Sequence, residues 1–261
     1  MADENIAKKS ISALDLSGED TILEIGPGRG ILTKLLLEKA KRVVAVEIDP
    51  SLCSFLQERF KSCQNFILIQ RDFLQFSLDE NDLSGGKKIK VIGNLPYAVV
   101  SPILQKILDW NHWSIFVALV QKEVGERILA REGSKKYGIL SLSVQSRSSV
   151  EKAGTVSRFC FRPVPRVESM LLRFFPEKVP FSSKREEELF FNVVRSAFSH
   201  RRKTILNSFS YSSNLSLEQI KGALKSCGFS ASMRAESFSL SDFLLLSKML
   251  YDSEDGKAAS K

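Results

Sequence analysis

Cysteine and histidine are scarce in this chain of 261 residues. Four cysteines, Cys53, Cys63, Cys160 and Cys227, stand apart with no C-x-x-C pair, and there are only two histidines. That scarcity argues against a disulfide framework and against a metal site, and it fits a reducing, cytoplasmic compartment. Long apolar runs are also missing. None approaches the ~20 residues needed to cross a bilayer, so no membrane partner is expected. The N-terminus, Met1-Ala2-Asp3-Glu4-Asn5, is acidic and lacks the apolar centre of a signal peptide. No internal repeat is visible. A hydrophobic fraction of 43% with 26% charged residues is ordinary for a globular protein, and the length suits one large domain plus a small one.

Negative charge runs short in the second half. Residues 1–119 hold 14 Lys and Arg against 15 Asp and Glu, a net of −1, whereas residues 120–176 are net +6 and residues 181–261 net +3. The whole chain carries +8 with a pI near 9.3. Such asymmetry fits either a polyanionic partner or a solvated basic face.

Strand-like apolar runs alternate with helical patterns through most of the chain, the signature of a parallel α/β sheet. Strands are expected at 21–25, 42–47, 66–70, 89–92 and 115–120, then at 150–157 and 169–175. Helical spacing occupies 31–40, 50–60, 101–109, 123–130 and 139–145. Arg162-Pro163-Val164-Pro165 cannot lie inside a helix or a central strand. After Pro180 the pattern turns helical, at 186–199, 204–209, 217–227 and 240–251. The expected organisation is a sheet domain over 1–178, a small helical domain over 179–252 and a flexible tail over 253–261.

Chemistry gathers at the strand ends. Leu23-Glu24-Ile25-Gly26-Pro27-Gly28-Arg29-Gly30 is a strand entering a glycine turn and then a helix. Its G-x-G-x-G spacing differs from the dinucleotide G-x-G-x-x-G, and Glu24 is ill placed to greet a phosphate. Both features suit S-adenosylmethionine, which has no phosphate and carries a cationic sulfonium and an amino-acid tail. The second strand ends Val46-Glu47-Ile48-Asp49, where Glu47 can accept both ribose hydroxyls; the third ends Gln70-Arg71-Asp72-Phe73, where Asp72 can accept from an adenine amine. Each acid read alone is equally a solvated strand terminus. Ligands of such sheets bind at the carboxyl ends of the strands, where all of these residues fall.

The fourth strand ends in Asn94-Leu95-Pro96-Tyr97. The Asn oxygen and a backbone carbonyl beside the proline can accept both N–H hydrogens of an exocyclic amine, drawing its delocalised lone pair towards a nucleophilic geometry. The aromatic ring can stack on the planar group, usually adenine. Read alone, the tetrad is also a plain strand-ending turn.

With these motifs the sequence resembles the ribosomal small-subunit RNA adenine N6-dimethyltransferases of the KsgA type over nearly its whole length. Further matching residues are Gln121-Lys122-Glu123-Val124, Tyr137-Gly138, Leu140-Ser141, Phe161 with Pro163, Pro165, Val167 and Ser169, Ala197-Phe198, Arg201-Arg202-Lys203-Thr204 and Met233-Arg234-Ala235-Glu236. The resemblance implies a Rossmann-like S-adenosylmethionine methyltransferase sheet with an all-helical C-terminal domain. It implies two methyl transfers to each of two adjacent adenines in a hairpin loop near the 3′ end of 16S rRNA, within a 30S precursor, by a monomer. Gly26, Gly28, Glu47, Ile48, Asp72, Phe73 and Asn94 would hold the cofactor. Asn94, Leu95, Pro96 and Tyr97 would grip and stack the target base, with Phe161 on its other face; a Phe is also often a core residue. Lys122, Arg127, Arg195, Arg201, Arg202 and Lys203 are candidate RNA contacts, as are Arg131, Lys135 and Lys136, although on a helix Arg195, Arg201, Arg202 and Lys203 would not all share one face.

No general base is evident, and an in-line transfer from a sulfonium is helped mainly by positioning and desolvation. The base must be splayed out of its loop, which costs least in single-stranded RNA. The family also has a short basic arm with a Gln-Asn-Phe-Leu-like motif, whose Leu aligns with Met1; its absence here implies a truncated start and weaker cofactor binding. Rival readings are a large-subunit rRNA adenine methylase conferring antibiotic resistance, a DNA adenine methylase and a non-catalytic ribosome-assembly factor. DNA methylases more often carry Pro-Pro-Tyr after the Asp or Asn, and the helical-domain motifs favour the small-subunit enzyme.

Overall fold

A computed structural model describes residues 3–78, 83, 86–110, 112–212 and 216–258; the side chains of Tyr97, Ser212 and residues 251–258 lie outside the description. Among the described residues seven strands form one sheet: β1 (Thr21–Ile25), β2 (Arg42–Glu47), β3 (Phe66–Gln70), β4 (Ile89–Asn94), β5 (Trp113–Gln121), β6 (Ser148–Val156) and β7 (Ser169–Pro176). Their order is β3-β2-β1-β4-β5-β7-β6. The first five run parallel, and β7 lies antiparallel to both β5 and β6. The strands read as near-continuous apolar runs because both faces are covered: Ile22, Leu23 and Ile25 of β1 and Val43–Val46 of β2 are all buried. The chain moves outward from β1 through β2 to β3, then returns to the far side of β1 as β4. That reversal opens a crevice at the carboxyl ends of β1 and β4.

Helices α1 (Glu4–Ser12), α2 (Ile31–Leu37), α3 (Pro50–Arg59) and α4 (Val100–Asp109) accompany this sheet, and α5 (Lys122–Ile128) follows β5. Local chemistry starts α3: Asp49 Oδ1 accepts the Ser51 and Leu52 N–H groups at 2.8 and 3.3 Å, and Pro50 takes the first helical position, where no N–H is needed. Helix α1 was not expected. Asp3 caps it through the Asn5 and Ile6 N–H groups, and it buries Ala7 and Ile11, with Leu14 just beyond it. Its apolar face is only three residues deep and is interrupted by Lys8 and Lys9, so its periodicity is faint.

A division falls at Glu177/Lys178, near the boundary expected, but assigning all of 1–178 to the sheet domain needs correction, because residues 126–147 belong to the second unit. The compact units are Met1–Gly125 with Ser148–Glu177, and Glu126–Arg147 with Lys178–Lys261. The reason lies in the core of the second unit. There Tyr137 and Leu142 are buried with Phe190, Phe198, Phe209 and Phe243, from α6 (Ile139–Gln145), α7 (Lys184–Phe198), α8 (Ile205–Ser212), α10 (Leu240–Ala258) and the segment before α6. Within this unit Ser141 Oγ donates to the Arg127 carbonyl at 2.6 Å, and Gln145 Nε2 to the Ile128 and Ala130 carbonyls at 2.8 and 2.9 Å. These bonds tie the inserted segment together through backbone carbonyls. Arg147, 5% exposed, is paired with Glu187 and lies 4.6 Å from the Phe191 ring centroid, which offsets the cost of burying its charge. Helix α9 (Leu217–Ser226) starts with a reciprocal cap between Ser216 and Gln219. The backbone of α10 continues as helix to Ala258, past the point where a tail was expected at 253; residues 259–261 lie outside the described residues.

Candidate active site

The glycine turn lies between β1 and α2, and Gly26, Gly28 and Gly30 all take the positive φ that favours glycine. Gly30 has φ +73°, and a Cβ there would sit 2.7 Å from the Phe60 ring and 2.8 Å from Leu56 Cδ2. Gly28 has φ +59°, and its N–H donates to Glu47 Oε2 at 3.1 Å. A Cβ placed on Gly26 or Gly28 would meet nothing within 4 Å, so the turn leaves open space above it. Arg59 of α3 pins the same turn by donating from Nη1 to the Arg29 carbonyl at 2.7 Å. No local pattern announces this contact, because the partners lie thirty residues apart.

Glu47 is only 6% exposed, and both its oxygens serve backbone donors. Besides Gly28 on Oε2, Oε1 accepts the Ile48 and Asp49 N–H groups at 2.8 and 3.1 Å. Carboxylate oxygens have about four lone-pair sites, so acceptor capacity remains for ligand hydroxyls. Ile48 stands 62% exposed beside it, an apolar surface suited to the face of a planar ring.

Glu24 carries a buried charge problem. It is 1% exposed; Oε2 accepts from Thr33 Oγ1 at 2.7 Å, while Oε1 has no partner among the described residues. Burial pushes its carboxyl up to about 7, with the Thr33 hydrogen bond opposing and the charge of Glu47 adding to the rise. The open glycines and the acceptors on Glu47 together fit S-adenosylmethionine.

At the tip of β3, Asp72 Oδ1 accepts the Leu74 N–H at 2.9 Å, and its carbonyl accepts from Gln75 and Phe76. Asp72 is half-buried, but Phe73 is only 6% exposed and packs beside Phe76. The Phe73 side chain thus serves the packing of this turn, and a direct ligand contact would fall to its backbone. Lys106 of α4 closes the turn by donating to the Leu74 carbonyl at 2.8 Å, 5.5 Å from the Phe73 ring centroid. Burial pushes the Lys106 ammonium down, and the charge of Asp72 works against that fall.

The Asn94 tetrad leaves the sheet where β4 pairs with β5. Asn94 is in register with Leu119, whose carbonyl takes the Leu95 N–H at 3.0 Å. Leu95 is 1% exposed and folds beneath Gly93, where a Cβ would lie 2.7 Å from Leu95 Cδ2. Its side chain is therefore an anchor for the turn and does not face a substrate. Pro96 is exposed, and its carbonyl accepts the Val99 N–H at 3.1 Å, leaving a second lone pair. The Tyr97 side chain lies outside the described residues.

Phe161 is 7% exposed and belongs to the same buried cluster as Ile11, Leu14, Val156 and Leu171, so little of its ring is presented. The aromatic presented by this loop is Phe159, 70% exposed.

The basic candidates divide. Lys122 is ion-paired with Glu168 at 2.7 Å. In the second unit Arg201 donates from Nη2 to the Lys135 and Tyr137 carbonyls at 2.7 and 2.8 Å, and Lys136 pairs with Glu126. Arg195 bonds Asn192 Oδ1 at 2.8 Å. Arg127, Arg202 and Lys203 are exposed.

Comparison with known proteins bears on what these strand tips serve. The pattern that describes "Ribosomal RNA adenine dimethylase" matches residues 1–252. The chain is 40% identical over 254 residues to "Ribosomal RNA small subunit methyltransferase A" of Clostridium botulinum (strain Loch Maree / Type A3), covering 97% of this chain and 91% of that protein. Its fold matches the crystal structure of a dimethyladenosine transferase from Plasmodium falciparum with TM-score 0.80 and 26% identity, covering 97% and 96% of the two chains. It also matches that of the 23S rRNA methyltransferase ErmE with TM-score 0.70 and 23% identity over 95% and 97%, a likeness of fold alone. No helix is long and apolar enough to cross a membrane among the described residues. With a match spanning both structural units and every strand-tip motif, the chain belongs to the ribosomal RNA adenine dimethylase family.

Proposed function

We propose that this chain dimethylates N6 of two adjacent adenines in a hairpin loop near the 3′ end of 16S rRNA. S-adenosylmethionine would supply an electrophilic methyl group. In this reading the protein acts in the cytoplasm as a monomer, on a 30S precursor. The observation that carries the reading is Asn94 at the end of β4, two strands from Glu47 at the end of β2, with β1 and its glycine turn between them.

Each residue has a defined task. Gly26 and Gly28 leave room for the methionine portion of the cofactor. Glu47 accepts ribose hydroxyls while holding the glycine turn, Ile48 covers one face of the cofactor's adenine, and Asp72 accepts from that adenine's amine. The Asn94 side-chain oxygen and the Pro96 carbonyl accept from the target N6, aligning its lone pair with the methyl group, while Tyr97 stacks on the base. The N6–methyl bond would form as the methyl–sulfur bond breaks, the neutral thioether would depart as leaving group, and the amine's proton would pass to solvent. Positioning and exclusion of water account for the acceleration without a dedicated base. In the helical unit, Arg202, Lys203 and Arg195 contact phosphates.

Replacing Asn94 by Ala should abolish methyl transfer from labelled cofactor to unmethylated 30S particles while leaving thermal unfolding in place. Transfer that survives this change, or wild-type transfer to 50S particles or DNA but not to 30S particles, would overturn the assignment.

A further inference from the structure

We infer that Arg158 and Phe159 form a stacking platform for an unpaired base flanking the methylated adenine. The inference rests on RNA being the substrate. The pair sits in a single 3-10 turn, Arg158–Cys160, at the end of β6. Ser157 fixes the turn: its carbonyl accepts the Cys160 N–H at 3.1 Å and its Oγ the Phe159 N–H at 3.4 Å, while the Arg158 carbonyl takes the Phe161 N–H at 3.3 Å. Phe161 is sunk in the core immediately after it, so the turn is anchored while Phe159 is held 70% exposed. A large aromatic ring left in water on an anchored turn is a surface awaiting an apolar partner.

The surroundings say which partner. The Arg158 guanidinium carbon lies 5.0 Å from the Phe159 ring centroid, covering one face of the ring. Arg162 and Arg166 of the same loop are exposed, and Glu168, the one acid between Ser157 and Ser169, faces Lys122. Cations beside an exposed aromatic ring fit a strand that carries both phosphates and π-faces, as single-stranded nucleic acid does.

Register gives the distance from the chemistry. Asn94 is opposite Leu119, Leu119 opposite Leu171, and Leu171 opposite Gly154. Those three interstrand steps of ~4.8 Å set Gly154 about 14 Å from Asn94, and Phe159 follows five residues further along the chain. Because β6 runs parallel to β4, its end and the Phe159 turn emerge on the same rim as Asn94. Three strands from Asn94 and beyond the end of β6, Phe159 is placed to meet a neighbouring nucleotide and not the reacting adenine. Phe159 is therefore a positioning residue for the strand and takes no part in methyl transfer.

Steady-state methylation of unmethylated 30S particles by Phe159→Ala should show KM raised about tenfold, with kcat and cofactor affinity unchanged. Phe159→Trp should restore the wild-type KM. Its added emission, read above that of the buried Trp110 and Trp113, should be quenched by a single-stranded oligoribonucleotide and not by heparin. An unchanged KM in the Ala variant, equal quenching by heparin, or quenching only by RNA-free ribosomal proteins would each overturn the proposal, the last pointing to a protein contact. If the wild-type chain methylates no 30S particle, the functional reading fails instead, and the oligoribonucleotide titration still reports on Phe159.

Discussion

Glu47 Oε2 accepts the Gly28 N–H at 3.1 Å, which binds the tip of the second strand to the glycine turn after the first. One carboxylate thus shapes the turn and remains able to bind ligand. In Glu47→Gln the acceptor towards Ile48 and Asp49 can persist, but an amide NH2 placed against Gly28 would oppose two donors. Loss of a charged hydrogen bond costs about 1.5–3 kcal/mol. Calorimetry should show S-adenosylmethionine affinity falling by at least about tenfold, with a near-native circular dichroism spectrum; wild-type affinity in this variant would exclude the role.

Glu24 should make stability fall as pH rises from about 4.5 to about 7. Its folded carboxyl is raised to about 7 from an ordinary 4.5. Below 4.5 it is protonated in both states, and the contribution is fully present. Between the two values the unfolded chain ionises while the folded one holds its proton, and the contribution is lost, up to about 3 kcal/mol. Glu24→Gln should flatten this part of the pH–stability curve relative to wild type. Parallel curves would show that Glu24 is ionised throughout.

Arg201 and Arg202 should separate by kind of defect. Arg201 donates to two backbone carbonyls, so Arg201→Ala should lower the denaturation midpoint, by about 1–3 kcal/mol. Arg202 is exposed, and Arg202→Ala should leave unfolding unchanged while reducing the salt slope of RNA binding by about one unit. Filter binding at several salt concentrations, beside thermal melts, reads both; a shared defect would remove the distinction.

Tyr137 is 1% exposed, and its hydroxyl has no partner among the described residues. Burial drives the hydroxyl's ionisation well above its ordinary range. An unpaired buried hydroxyl costs about 1–3 kcal/mol, so Tyr137→Phe should raise the melting temperature. A lower melting temperature would mean that the hydroxyl is satisfied in solution.

The sheet was legible because β1, β2 and β4 are mostly apolar runs that end in a change of residue type, namely glycine, Glu47 and Asn94. What the sequence hid depended on distance. Phe161 and Phe159 are two residues apart in one loop, and only packing against Ile11 and Leu171 decides which of them is buried. Leu95 reads as part of a reactive tetrad until Gly93 shows the space it fills. Lys106 and Arg59 gain their partners across about thirty residues, and no local pattern encodes such pairs. The inserted segment was misplaced because strands flank it on both sides, so its neighbours in sequence are not its neighbours in space.

That insertion, Glu126–Arg147 packed with Lys178–Lys261, makes the helical unit discontinuous in the gene. It cannot be transplanted, deleted or lost as a terminal cassette. A graft of 179 onwards arrives without Tyr137 and Leu142, and a sheet domain ending at 178 keeps them with nothing of their own unit to cover them. Exchange between relatives that alters RNA recognition by this unit must carry two separate stretches together. Point substitution is therefore the easier evolutionary route to a new target than recombination.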